Sequence, residues 1–336
     1  MNKIERVSME ICAGIASGKF PPGGKLPTFD EMERIHKVSY ITINACIKRL
    51  NNAGFVISKE RSGVFVAEKP PLPGRFALLL PKKALAGNRF LQTIIKIIEE
   101  ERAKRKVKFD IFPNFEPHVD NSDYKRLISG IYKMRIGGMA YIAMDPLPVE
   151  CELLHFPGIP VINIASGFAF DMKAYVDKSC DYLLSRNKKR IAVFFLGGSR
   201  MIDKFIDKRN NSDMESPDHW FIQVDPRGAG TISRLLFDFP REKRPNGLII
   251  TDDNLVDLVL NGVFLSGVKV PEELEIVAHC NWPNPVTSAI PVKRLGYDVR
   301  EYVSIFTGRL LDSRGKGGHQ EAEFASLVPL FEEELQ

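Results

Sequence analysis

The amino-acid sequence predicts an α/β protein in which a small winged helix-turn-helix precedes a larger region of parallel-type β-sheets flanked by helices. Residues 4–66 carry three helical patterns, followed by two short β-type runs around a Ser-Gly turn. Three prolines interrupt the chain within residues 69–74. Beyond them, apolar β-type runs alternate with amphipathic segments, which is typical of parallel sheets covered by helices on both faces.

The chain contains 336 residues, which is long enough for two or three domains. We place a head domain at residues 1–68, a proline-rich linker at residues 69–74 and a larger domain at residues 75–336. Prolines in the linker exclude a continuous helix and favour a stiff, extended spacer.

The composition is that of a globular protein, with 44% hydrophobic and 26% charged residues. The sequence shows neither a secretory signal pattern nor an apolar run long enough to span a membrane. We therefore expect a cytoplasmic protein without a membrane partner. The five cysteines and six histidines form no metal-ligand spacing, so we expect reduced thiols, no metal and no cofactor.

Most of the basic excess lies in the head. Residues 1–69 contain 11 Lys and Arg residues against 7 Asp and Glu residues, whereas the remaining residues contain 36 against 35. A basic surface attracts the phosphates of a nucleic acid. This small excess supports the helix-turn-helix pattern as a DNA-binding segment.

Start and stop signals delimit the three helices of the head. Apolar residues at helical spacing give the first helix one buried face, and Gly18 and a proline-glycine stretch end it. Thr28 and Glu31 form a capping-box pattern at the start of the second helix. Ser39 precedes the third helix, and Gly54 follows its end.

The third helix carries the predicted base-reading surface, because its apolar stripe leaves a polar side free for DNA. The buried stripe is expected at Ile43, Cys46, Ile47 and Leu50. The residues off this stripe are Tyr40, Thr42, Asn44, Lys48 and Arg49. The following β-hairpin has a tip that suits contact with a DNA backbone or minor groove. The predicted contact residues of this tip are Lys59, Arg61, Ser62 and Gly63. For each polar side chain taken singly, a solvated helix surface is the alternative.

Residues 4–67 resemble the DNA-binding domain of the GntR family. The matching positions are Pro22, Gly23, Lys25, Leu26, Pro27, Thr28, Val38, Ser39, Thr42, Ile43, Leu50, Gly54 and Gly63. The resemblance implies DNA contacts from Lys25, Thr28, Ser39, Thr42 and the wing around Gly63. Tyr40, Asp30 and Asn44 stand where the family often has basic residues. This departure indicates less guanine reading by arginine and more reading by amide, hydroxyl and aromatic groups.

In the larger domain, several predicted strands are followed by loops that contain polar or aromatic residues. Ligands of parallel sheets bind beyond the carboxyl ends of the strands, so these residues form the predicted effector site. They are Arg89, Asp145, Arg200, Asp252, Asp253, Asn281 and Trp282. Carboxylates, an amide and aromatic rings suit a sugar or other polyol. Residues 314–320 are expected to form a flexible crossover before the last strand.

Residues 74–332 resemble the effector domain of the LacI/GalR family, which has a two-lobed periplasmic-binding-protein-like fold. The matching segments are residues 158–162, 176–192, 247–277 and 327–329. The resemblance implies effector contacts at Asp252 or Asp253 and at Asn281, with Arg200 near a sugar-binding position. Cys280 and Asn281 replace frequent acidic residues, so the predicted pocket differs from the family's standard sugar pocket. Asp252 and Asp253 have helix capping as an alternative role.

Together these patterns predict a transcription regulator, namely a repressor that binds double-stranded DNA and responds to a small-molecule effector. A homodimer would place two heads on an inverted-repeat operator. One alternative is a regulator whose sensor domain has lost its ligand and only dimerises. The other is an α/β enzyme with a DNA-targeting head. The sequence lacks a nucleophile elbow, a dinucleotide-binding glycine motif and a zinc-protease motif, so we expect no enzyme.

Overall fold

The structure is a computed structural model that describes residues 1–71, 74–81, 87–105, 107–116, 121–142, 147–164, 168–196, 201–320 and 325–335. The α-helices there are α1 (Lys3–Ala16), α2 (Phe29–His36), α3 (Tyr40–Asn52), α4 (Arg89–Arg105), α5 (Ser122–Tyr132), α6 (Met172–Ser185), α7 (Ile202–Asn210), α8 (Pro226–Phe237), α9 (Asp253–Leu265) and α10 (Val299–Asp312). The strands are β1 (Val56–Lys59), β2 (Gly63–Val66), β3 (Arg75–Pro81), β4 (Lys108–Phe115), β5 (Met139–Tyr141), β6 (Pro160–Asn163), β7 (Phe168–Phe170), β8 (Ile191–Leu196), β9 (Phe221–Val224), β10 (Gly247–Ile250), β11 (Glu275–Trp282), β12 (Lys293–Asp298), β13 (Gly318–His319), β14 (Ala325–Leu327) and β15 (Leu330–Phe331). Among these residues, no helix is long and apolar enough to cross a membrane.

The head consists of α1, α2 and α3 followed by the antiparallel hairpin of β1 and β2. The predicted stripe of α3 is buried at all four positions and packs with α1 and the wing in one core. Thr28 and Glu31 form the predicted capping box. Ser39 is the N-cap residue of α3 but makes no side-chain cap hydrogen bond. The winged helix-turn-helix is therefore confirmed in the described residues.

A five-stranded parallel sheet and its helices form what we call the first lobe. Its strand order is β13-β6-β5-β3-β4. The expected flexible crossover at residues 314–320 is wrong in part. Gly318 and His319 pair with Pro160 and Val161 as a parallel edge strand, because their backbone groups complete the free edge of β6.

A six-stranded sheet forms the second lobe, with the order β15-β12-β11-β10-β8-β9. All neighbouring strands are parallel except β15, which runs antiparallel to β12 at the edge. Helices α8 and α9 pack on the same core as β8, β10 and β11. The predicted parallel sheets are confirmed.

The chain divides into two compact units. The first contains the head and the first lobe, in residues Met1–Leu85, Ile98–Phe168 and Val303–Phe324. The second contains the second lobe, in residues Ala86–Ile97, Ala169–Tyr302 and Ala325–Gln336. The boundaries at residues 68 and 75 stay a prediction. Within the first unit, the head packs on the first lobe.

Candidate functional site

The polar side of α3 is exposed next to the N-terminus of α2. Tyr40 is 55% exposed and its ring packs at 5.2 Å from the ring of Phe29. Asn44 and Lys48 are exposed, and Thr42 is half-buried. Tyr40, Thr42 and Asn44 lie on the first turn and a half of α3, which is the part that reaches base edges in this motif, and Lys48 lies one turn further along.

Hydroxyl groups at the two helix starts already have partners. The Thr28 hydroxyl donates to Glu31 at 2.9 Å and accepts from the Glu31 backbone N–H at 3.3 Å. The hydroxyls of Ser39 and Thr42 lie 3.2 Å apart. The backbone and side-chain hydrogen bonds from Thr28 lower the pKa of Glu31. These hydrogen bonds orient the hydroxyl groups in the free protein, so less side-chain freedom would be lost when they contact a base or a phosphate.

The wing gathers two lysines on one aromatic ring. The ammonium groups of Lys59 and Lys25 lie 4.7 Å and 5.9 Å from the ring centre of Phe65. The segment before α2 pairs with β2, since the Leu26 N–H donates to the Val64 carbonyl oxygen at 2.8 Å. Lys25 is therefore part of the wing surface. Sequence reasoning missed Phe65 in this role, although its alternation with Val64 and Val66 was a usable signal.

Gly63 lets Lys25 cross the wing turn. Its φ is +108°, and a Cβ there would lie 2.9 Å from Cε of Lys25. Arg61 and Ser62 are exposed in the same turn. The structure thus brings Lys25, Lys59 and Gly63 together, and the tip residues adjoin them.

Arg49 differs from the other predicted DNA-contacting residues. Its guanidinium donates to the carbonyl oxygen of Tyr132, at the end of α5 in the first lobe. Arg49 is half-buried, whereas Lys48 beside it is exposed. The structure therefore gives Arg49 a partner inside the protein, and its predicted DNA contact stays untested.

A second set of predicted residues meets at the carboxyl edge of the six-stranded sheet. Asp252 is the N-cap residue of α9 and accepts from the N–H and the side-chain amide of Asn254, at 2.9 Å and 2.8 Å. Asn254 in turn accepts the Arg89 backbone N–H at 3.0 Å. The Arg89 guanidinium pairs with Asp257. Asp252 thus has the capping role that the sequence left open, and one oxygen of its carboxylate makes these contacts.

Asp253 and Asn281 form a buried pair. The Asn281 amide donates to the Asp253 carboxylate at 2.5 Å, and the residues are 4% and 3% exposed respectively. Burial raises the pKa of Asp253, although His279 and the hydrogen bond from Asn281 act in the opposite direction. The pair joins the start of α9 to the end of β11. It can offer a ligand one acceptor and one amide, at a carboxyl whose pKa lies above its ordinary value.

An aromatic wall stands beside this pair. The His279 ring lies 5.5 Å from Tyr175 and 5.9 Å from Tyr297, and Phe170 lies 4.7 Å from Tyr297. The Nδ1 atom of His279 is buried and has no hydrogen-bond partner among the described residues. Sequence reasoning missed His279, although it precedes Asn281 by two residues on one strand and so shares its face.

Trp282 ends β11 and is 2% exposed, with its indole N–H donating to the Leu330 carbonyl oxygen at 3.1 Å. Its expected place in a loop beyond the strand is therefore wrong, because β11 continues through it to pair with β12. Asp145 and Arg200 lie outside the described residues. Among the residues that the structure does describe, no group of three or more acidic, histidine or cysteine side chains is placed to hold a metal ion.

Comparisons with known proteins assign the head. Residues 3–66 match the bacterial regulatory proteins of the gntR family. An arabinose metabolism transcriptional repressor of Halalkalibacterium halodurans is 22% identical over 82% of this chain and 80% of its own length. The protein of the same name from Geobacillus stearothermophilus is 20% identical over 82% and 81%. Residues 3–66 are therefore a GntR-type DNA-binding domain, and this chain is a transcription regulator.

Solved structures show the fold of the rest of the regulator. A LacI family regulator from Lactobacillus casei, with bound glucose, superposes with a TM-score of 0.55 at 16% identity, covering 77% of this chain and 97% of its own. A LacI regulator from Bacillus cereus subsp. cytotoxis gives 0.58 at 16% identity, with 77% and 96% covered. The regulator joins a GntR-type head to a LacI-like two-lobed domain. These relatives are regulators, which confirms the prediction of a regulator over an enzyme.

Proposed function

We propose that the regulator is a repressor that binds an inverted-repeat operator as a homodimer and changes its operator affinity when a sugar binds. The observation that carries the proposal is the similarity, over four-fifths of the chain, to two repressors of arabinose metabolism. The polar side of α3 and the lysine-bearing wing support DNA contact, since they combine base-reading groups with phosphate-binding cations. The proposed contact set is the predicted one, with Arg49 removed.

The carboxyl edge of the six-stranded sheet is the proposed sugar site. Asp252, Asp253 and Asn281 supply acceptors and an amide for hydroxyl groups, and the rings around His279 supply an apolar face. Sugars are bound by this combination of hydrogen-bonding edges and stacked rings. L-Arabinose is the first compound to test, because both relatives are named as repressors of arabinose metabolism.

A second copy of the chain is the proposed occupant of an apolar face on α8 and α9. Its exposed apolar residues are Ile232 and Leu235 of α8, Phe239 just after α8, and Leu258, Phe264 and Leu265 of α9. Phe264 is 67% exposed and Leu235 is 59% exposed. A self-complementary apolar face suits a two-fold interface, and two heads related by that two-fold match an inverted repeat.

Gel-shift titration of the full chain, with duplex DNA from upstream of its own gene, tests the DNA-binding proposal. A retarded complex that survives excess unrelated duplex is expected, and L-arabinose should change its midpoint. Thermal unfolding with L-arabinose, other pentoses, hexoses and uronates tests the site, because a ligand of the folded state raises the melting temperature. Absence of any specific complex contradicts the proposal.

Dimerisation is tested by light scattering on a chain with Leu235→Glu and Phe264→Glu. Two buried carboxylates would break an apolar interface, so a shift from dimer to monomer is expected. Val328→Glu is the control, because Val328 is an exposed apolar residue too, at 52%, but belongs to neither α8 nor α9. A dimer that survives the double change contradicts the assignment of this face.

One observation favours a second function, a regulator without effector. Arg89 is paired with Asp257, and Asp253 with Asn281, so polar groups at the proposed sugar site already satisfy one another. Such a chain would bind the operator and dimerise but respond to no sugar. Unchanged melting temperature across the whole sugar series would favour this second function.

A further inference from the structure

The head and the first lobe belong to the same compact unit, and each places a side chain against the hydrophobic core of the other. Met9 of α1 is 3% exposed and packs among first-lobe residues that include Ile131 and Ile159. In return, Met134 of the first lobe packs against the core of the head. The sulfur atoms of Cys12 and Met134 lie 3.6 Å apart. We call this contact region the joint. Its residues are Met9, Cys12, Ala13, Arg49, Met134, Gly158 and Gly315.

Two glycines of the first lobe allow α1 to approach closely. A Cβ on Gly158 would lie 2.4 Å from Cβ of Ala13. A Cβ on Gly315 would lie 2.5 Å from the backbone nitrogen of Ser17. Real side chains do not approach so closely, so any larger residue at either glycine would push α1 away. The joint is thus shaped for backbone-to-backbone packing, as in the interior of a domain.

The recognition helix itself is tied to the first lobe. Arg49 of α3 donates to the carbonyl oxygen of Tyr132, the last residue of α5. A cavity of about 50 Å³ remains between α1 and the first lobe, lined by residues such as Cys12, Met134 and Ile136. Such a volume holds on the order of a few water molecules, so the two surfaces pack closely without filling the joint completely.

We propose that the joint holds the recognition helix and the first lobe as one rigid body, both free and on DNA. This inference rests on the proposed function, because it concerns how an effector domain controls DNA binding. Arg49, Ala13 and Met134 are then positioning residues for the DNA contacts of α3. A rearrangement of the first lobe then passes directly to α3.

A rigid joint has a measurable consequence for affinity. Two heads held at a preset spacing lose less conformational freedom on a two-part operator than two heads on free tethers. Loosening the joint should therefore weaken binding to the operator. Binding of a single head to unrelated duplex should change little, since the base-reading and wing surfaces are intact.

Cys12 reports the state of the joint in the full chain. Burial raises the pKa of Cys12 to about 12, which leaves almost no reactive thiolate at neutral pH. Cys46 lies in the core of the head, donates to the Ile4 carbonyl oxygen and reports whether the head is folded. Alkylation followed by mass spectrometry of the peptides measures both. We expect Cys12 of the folded chain to react at least about tenfold more slowly than in the denatured chain, with and without operator duplex.

Ala13→Glu separates docking from folding. The added carboxylate cannot fit against Gly158, so Cys12 should become reactive while Cys46 stays protected. Operator affinity should fall about tenfold, and affinity for unrelated duplex should stay within about twofold. Ser185→Glu, at an exposed helix end in the second lobe, is the control and should change neither. If Cys46 also becomes reactive in Ala13→Glu, the head has unfolded, and Met134→Ala is used in its place as a milder variant that loosens the joint.

Two outcomes overturn the proposal. One is a Cys12 in the unaltered chain that reacts as fast as in denatured protein. The other is a Cys12 that is protected in the free chain and becomes reactive when the operator duplex is added, because the head would then leave the first lobe to bind DNA. An unaltered chain that binds no duplex contradicts the proposed function instead, and its Cys12 protection still decides whether the joint exists.

Discussion

The Arg49 guanidinium, on the recognition helix, donates a hydrogen bond to the carbonyl oxygen of Tyr132 in the first lobe. Lys48, one residue earlier, is exposed. Two adjacent basic residues of one helix therefore face different surroundings. Their difference gives a direct test of which surface meets DNA.

Lys48→Ala should weaken binding to all duplexes. The slope of log affinity against log salt concentration should become shallower by about one, because one phosphate contact is lost. Arg49→Ala should leave that salt slope unchanged. Fluorescence anisotropy titrations at several salt concentrations measure both. A reduced slope for Arg49→Ala would place Arg49 on the DNA.

Thr42→Ala combined with Asn44→Ala should remove specific binding and leave nonspecific binding. Both residues lie on the first turns of α3, where base edges are read, and neither carries charge. The operator complex should lose affinity by about 1–3 kcal/mol for each base contact removed. Competition gel shifts with operator and unrelated duplex give the ratio. Equal loss on both duplexes would contradict this recognition surface.

Gly63→Ala should distort the wing. The position has a φ of +108°, and the new Cβ would press on Cε of Lys25. A loss of about 1–3 kcal/mol in the free energy of unfolding is expected, together with weaker DNA binding. Gly18→Ala is the matched control, since Gly18 has a φ of +79° but no atom within 4 Å of the added Cβ. Urea unfolding and gel shifts should show a stability loss in both variants and a DNA-binding loss only at Gly63.

Asp253→Asn tests the buried carboxyl. Burial raises the pKa of Asp253, so the stability that its neutral form contributes is present at low pH and is lost as pH rises through the folded-state pKa. Asparagine keeps an acceptor for Asn281 without titrating. The melting temperature of the variant relative to the unaltered chain should therefore rise from acidic to neutral pH. A difference that is constant with pH would show that Asp253 keeps an ordinary pKa.

Asp252→Ala should abolish the sugar response without changing operator affinity. Loss of the N-cap of α9 should also cost about 1 kcal/mol of stability. Gel shifts with and without L-arabinose, and urea unfolding, measure the two effects separately. A normal sugar response in the destabilised variant would leave Asp252 with the capping role alone.

Much of the head followed from local signals in the sequence. The capping box of Thr28 and Glu31, the buried stripe of α3 and the turn at Gly63 each depend on residues within a few positions of one another. Short-range sterics and hydrogen bonding decide such features, so pattern and spacing were sufficient. The alternation of apolar strands and helices likewise indicated parallel sheets in the larger domain.

Tertiary structure alone decided which distant groups meet. Arg49 and Tyr132 are 83 residues apart, and Asp253 and Asn281 are 28 residues apart. The sequence showed that these residues are polar or basic, but their partners depend on how whole elements pack. The edge strand β13 was missed for the same reason, since two residues become a strand only when β6 offers a free edge. The sequence by itself therefore determined the type of head and the class of the larger domain. The packing of the head on the first lobe was set by long-range contacts, because loop closure and side-chain fit have no signature in local pattern.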